Sequence, residues 1–133
     1  MGMPVAKQQD QVVAVDIHIV MVPTAAGPVP VPLPHPFAGM LDGALAISVK
    51  SGGVAVATVD STASAVPPHL PTPPGASFQA PPANKGTVML GSATVKIGGK
   101  GAARATDIVR TCNDPADQPV GQIIAVGTVL VGG

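Results

Sequence analysis

The chain has no tryptophan, no tyrosine and no glutamate, two phenylalanines and a single cysteine. Each shortage closes a route. With no aromatic platform, bases have nothing to stack on. Seven basic and seven acidic residues cancel, and no stripe of Lys or Arg offers a face for phosphates, so the reading is no nucleic acid partner. One cysteine makes no internal disulfide, which fits a cytoplasmic origin. The longest apolar stretch, 12–22, contains Asp16 and His18 and is too short to cross a bilayer. No charged segment precedes an apolar one at the start, so no signal peptide is expected. The missing glutamate also removes the His-Glu-x-x-His helix of zinc hydrolases, and no nucleophile elbow is present.

What is plentiful is glycine and proline, 16 of each in 133 residues. That length reads as one domain spanning 1–133, large enough for one modest core. The apolar content is mostly valine and alanine, so each buried side chain contributes little, on the order of a kcal/mol per methylene. In such a molecule a metal or an oligomeric partner matters more than usual.

Short strands between turns dominate the pattern, and nothing has the spacing of a long amphipathic helix. In residues 11–22, Val13, Val15, Ile17, Ile19 and Met21 share one side, with Asp16 and His18 on the other: a half-buried strand of period two. Prolines 28, 30, 32, 34 and 36 forbid helix and sheet interior alike, leaving extended, partly polyproline-like backbone. Strands are expected at 44–50 and 54–59 around the turn Ser51-Gly52-Gly53, and at 87–91, 93–98, 102–105 and 122–131. A second proline-rich crossing covers 66–82, and residues 1–11 read as loose and polar. The segments 47–60 and 95–107 look like copies of one unit, each an apolar alternation, a glycine turn and a return strand of small residues ending near Ala-Thr and Asp. Their offset reads as 47–48 residues, and a repeated hairpin suggests a pseudo-symmetric body.

The soft metal ligands are His18, His35, His69 and Cys112. His18 lies in the alternating strand, His35 in Leu-Pro-His-Pro, His69 in Pro-Pro-His-Leu, and Cys112 closes a segment starting at Arg104. Three imidazoles and one thiolate fill a tetrahedral shell with no position for water, a structural arrangement that favours zinc over iron. Each residue also has a plainer reading. His18 is equally a hydrogen-bonded strand residue, His35 and His69 are also turn residues, and Cys112 is also a small buried hydrophobe. For Arg104 and Asp107 a local ion pair or turn bond is preferred to catalysis.

The second copy, Val95-Lys-Ile-Gly-Gly-Lys-Gly-Ala-Ala-Arg-Ala-Thr-Asp107, followed by Cys112 and preceded by Pro67-Pro68-His69, resembles the PAAR-repeat family. Gly101-Ala102-Ala103-Arg104 stands where the family has Pro-Ala-Ala-Arg, and the likeness covers 45–112. The resemblance implies an all-β fold: a small pseudo-threefold cone of short hairpins with proline-rich loops, stapled by metal near its vertex. It implies that His69 and Cys112 match the family's ligand motifs, with His35 as third ligand and His18 as the fourth. It implies a structural tip, not an enzyme, capping the homotrimeric spike of a contractile injection machine such as a type VI secretion system, phage tail, tailocin or extracellular injection particle. One tip per trimer, transient contact with the target membrane, effector cargo, and cytoplasmic assembly followed by release with the particle all belong to that expectation. The competing readings are a small zinc-dependent hydrolase, with Asp16 as the nearest carboxylate, and a metal-free module whose proline tracts at 28–36 and 67–74 dock in an aromatic-lined groove.

Overall fold

The computed structural model describes residues 2–133, and all regular structure among them is strand. In chain order the elements are β1 (Met3–Pro4), β2 (Gln11–Val22), β3 (Val29–Gly43), β4 (Ala46–Ser51), β5 (Val54–Val56) and β6 (Thr62–Ala65). They continue with β7 (Ser77–Phe78), β8 (Lys85–Val88), β9 (Lys96–Ile97), β10 (Lys100–Gly101), β11 (Ile108–Thr111), β12 (Gln118–Ile124) and β13 (Leu130–Val131). Six of them close on themselves through antiparallel pairs, in the order β2, β3, β6, β8, β11, β12 and back to β2. Each of the six is thereby paired on both sides over part of its length, so the ring has no end strand, although stretches such as residues 30–36 of β3 keep one unpaired side. The result is all-β and consistent with the expected cone.

The ring is organised by three short segments, 5–10, 56–61 and 102–107. The Ala6 N–H donates to the Ala103 carbonyl at 2.8 Å, Ala103 to Ala57 at 3.0 Å, and Ala57 to Ala6 at 2.9 Å, a cycle that returns to its start. All three alanines are fully buried where the three backbones converge. Each segment then turns through a left-handed residue: Gln9 (φ 73°), Asp60 (φ 76°) and Thr106 (φ 70°). A side-chain oxygen clasps each turn from the inside. Asp10 accepts from the Lys7 N–H at 3.0 Å, Ser61 from Thr58 at 2.9 Å, and Asp107 from Arg104 at 2.8 Å. Two layers of apolar triplets follow, one residue per segment: Val12, Ala63 and Val109, then Leu41, Val88 and Ile123, all essentially without exposure.

This geometry revises the repeat read from the sequence. The Ala57-Thr58 pair corresponds to Ala103-Arg104, an offset of 46 residues, and not to Ala105-Thr106. The third copy is at 5–10, and its strand β1 pairs with β13 from the far end of the chain, Met3 facing Val131. In the other two copies the corresponding hairpins, β4–β5 and β9–β10, turn at Gly52-Gly53 and Gly98-Gly99, all with positive φ. Residues read as loose thus include the buried Val5 and Ala6. The segment was hidden because its hairpin is assembled from both chain ends, which no local pattern displays.

Two other expectations change. In β2 the interior side is the one carrying Val12, Asp16, His18 and Val20, whereas Val15 and Ile17 are exposed. A cluster of polar partners occupies the interior there, so hydrophobicity points outward. The proline tract is a hydrogen-bonded strand: all twelve residues of β2 face β3 in register. Prolines 30, 32, 34 and 36 fall on alternate residues with exposed side chains. Their missing N–H groups therefore all lie on the side away from β2, while Val31, Leu33, His35 and Phe37 supply the donors. Of the other expected strands, 102–105 forms the ring segment, 93–98 shrinks to β9, and β11 appears where no strand was expected.

Candidate metal centre

Beyond the apolar triplets the interior becomes polar. Asp16 and His18 are two residues apart on the inward side of β2, and Asp16 faces His35 across the β2–β3 pair. His69 occupies, relative to Ala57, the place of His18 relative to Ala6, each 12 residues on. Its backbone N–H is held by Asn84 Oδ1 at 2.8 Å. Cys112 directly follows β11, its N–H bonded to the Lys85 carbonyl at 3.2 Å. The fold thus brings His18, His69 and Cys112 together with Asp16, while the expected His35 lies beside this group rather than within it; all are buried.

One potential ligand atom from each of Asp16, His18, His69 and Cys112 lies within 4.8 Å of the others. His35 adjoins them, its ring centroid 5.6 Å from that of His18 and 5.9 Å from that of His69. Cys112 Sγ is 3.7 Å from His18 Nε2 and 3.5 Å from Asp16 Oδ2. Burial, and then the Asp16 carboxylate, push the thiol up to about 11. Burial lowers the pKa of His18, with neighbouring His69 adding to it, while Asp114 and Asp16 oppose. Both phenylalanines pack here too: Phe78 lies 5.4 Å from His35 and 5.7 Å from His18, and Phe37 lies 5.9 Å from His69. A cleft of about 350 Å³ between Pro34, Pro36, Pro67 and Pro68 reaches His35 and His69 from outside.

The residues fit a cation. His18 Nδ1 is buried with no hydrogen-bond partner, 3.5 Å from Asp114 Oδ2. Nitrogen, sulfur and oxygen donors converge, a set that borderline and soft divalent metals accept. A bound metal would also hold Cys112 as thiolate, against the upward shift that burial imposes. Sequence reasoning did not place Asp16 among these groups, nor Thr111, Asn113 and Asp114 around them. The available signals were the two-residue spacing of Asp16 and His18 and the polar run Thr-Cys-Asn-Asp at 111–114. Arg104 and Asp107 lie apart from the cluster. They form the expected local ion pair, 2.9 Å between Nη2 and Oδ1, which raises the arginine pKa further.

Residues 79–133 match the family model described as the PAAR motif, which supports a PAAR-repeat protein. The matched residues include Arg104, Asp107 and Cys112, and the three histidines lie upstream of them. No curated protein and no solved structure matches the chain. PAAR-motif proteins are structural tip proteins that associate with the spike of contractile injection systems, and the motif supports that role here.

Proposed function

We propose that this chain caps a homotrimeric spike as a single copy, sharpening it for passage through a target membrane, with zinc bound by His18, His35, His69 and Cys112 near the vertex. The observation that carries the reading is the closed cycle through Ala6, Ala57 and Ala103. One chain thereby presents three related segments, which suits a partner with true threefold symmetry. A pointed body has little interior, so burial alone holds its last loops poorly. A metal that joins β2, the segment after Pro68 and the end of β11 compensates, at up to ~10 kcal/mol of apparent binding energy. Assembly takes place in the cytoplasm before the particle leaves the cell, and effector cargo travels on the tip.

Native mass spectrometry of the chain mixed with its spike trimer tests this, with one chain per trimer expected. No complex, or three chains per trimer, would overturn it. Elemental mass spectrometry of protein purified without added metal should give about one zinc per chain. Iron at the same ratio would keep the site and correct the metal.

A further inference from the structure

Each of the three buried histidines has one ring nitrogen set against an oxygen of the protein. His35 Nδ1 lies 3.0 Å from the Leu33 carbonyl, His69 Nε2 lies 2.9 Å from Asp16 Oδ2, and His18 Nδ1 lies 3.5 Å from Asp114 Oδ2. A carbonyl or carboxylate oxygen only accepts, so a nitrogen within hydrogen-bond distance of one is the nitrogen that carries hydrogen. The nitrogens left with a lone pair are then His35 Nε2 and His69 Nδ1, while His18 Nδ1 makes no hydrogen bond and His18 Nε2 faces Cys112 Sγ. Both carboxylates are fixed in turn. Asp16 accepts from the Thr111 hydroxyl and from Asn113 Nδ2 at 3.3 Å, and Asp114 accepts from the Ile19 N–H at 2.9 Å.

We propose that Asp16 is a positioning residue that selects the metal-binding nitrogen of His69, and that Asp16 is not itself a ligand. This rests on the metal reading above. Asp16 is close enough to ligate, but both its oxygens are already engaged, Oδ1 by Thr111 and Asn113 and Oδ2 by His69. Outer carboxylates of this kind orient the ring and raise its basicity, and removing one typically weakens metal binding by ~10–100-fold.

Cobalt(II) serves as the probe, bound to the full chain and to the variants Asp16→Asn and Asp16→Ala. Affinity is measured by chelator competition, the ligand set by the visible and thiolate charge-transfer bands, and folding by melting each metal-free protein. The expected result is one cobalt per chain throughout, unchanged band positions, and affinity reduced about 10–100-fold in Asp16→Ala. Asp16→Asn keeps an accepting oxygen and should recover most of the loss. Shifted bands or lost binding in a folded Asp16→Asn would make Asp16 a ligand and overturn the assignment. Wild-type affinity in Asp16→Ala would overturn it as well, while leaving the metal site standing. Wild-type protein that takes up no cobalt and no zinc would instead refute the metal reading itself, and this inference with it.

Discussion

At the scale of single residues, the interior around the candidate metal centre is governed by charge. His18 is kept neutral there, chiefly by burial and then by His69, with Asp114 and Asp16 pulling the other way. Its folded pKa lies below the ordinary 6.5, so the unfolded chain takes up a proton that the folded one refuses. Stability is therefore full above that value and declines as pH falls toward the folded pKa. For chelator-stripped protein the urea midpoint should drop between about pH 7.5 and 5.5, and His18→Gln should flatten the drop. A midpoint indifferent to pH would show that His18 is not held this way. With metal present, Cys112→Ser or His69→Ala should remove the ion and lower the melting temperature by roughly 10 °C or more, as several kcal/mol of metal-linked stability would imply. Full metal content and unchanged melting in both would rule out the staple. That His18, His69 and Cys112 share one buried cluster was legible in the sequence because few soft ligands compete with them. Asp16 was not, since an aspartate opposite a valine row reads as the solvated side until a hydrogen-bonding cluster makes it the inner one.

The elements show why glycine is so frequent. On β3, a Cβ at Gly39 would come within 2.6 Å of the Ser64 carbonyl oxygen and 2.9 Å of the Phe37 ring. Neither can retreat far, because Ser64 belongs to β6, paired with β3 at this point, and Phe37 is buried against His69. Gly39→Ala should therefore destabilise by about 1–3 kcal/mol, as overpacking does, and denaturant titration would read it. Gly52 has open space around it but φ of +59°, so alanine there meets only backbone strain of about 1 kcal/mol. If Gly52→Ala proved the worse of the two, close approach of strands would not be what fixes these glycines. The hairpin around Ser51-Gly52-Gly53 was plain in the sequence, because the turn needs positive φ at adjacent residues. Strand β3 was hidden, since proline counts against pairing until its alternate spacing is set against a single partner strand.

For the whole molecule, the decisive feature is that three equivalent hairpins surround the ring and one of them is formed by β1 and β13. The ends of that hairpin are joined by pairing alone, as the other two are joined by glycine turns. A circular permutant follows: a short Gly/Ser linker between the present ends, and new ends opened between Gly52 and Gly53. It should fold to the same circular dichroism spectrum, bind the same amount of metal, and melt within about 5 °C of the natural order, a shift worth roughly 1 kcal/mol. Collapse of the permutant would mean that the three segments are not interchangeable parts of one ring. The sequence made two of the segments visible through their continuous hairpins, whereas the third exists only once the chain has closed.

The alternate prolines of β3 bear on how such molecules behave in a crowd. To a passing extended chain, the far side of residues 30–36 offers carbonyls but no donor at any second position. A strand that tried to add itself there would meet half a ladder, one that accepts and never gives. Extended backbone rich in valine and alanine is the raw material of aggregates. Here the same four rings whose alternate spacing leaves the pairing with β2 intact also deny a neighbouring strand a complete ladder on the other side.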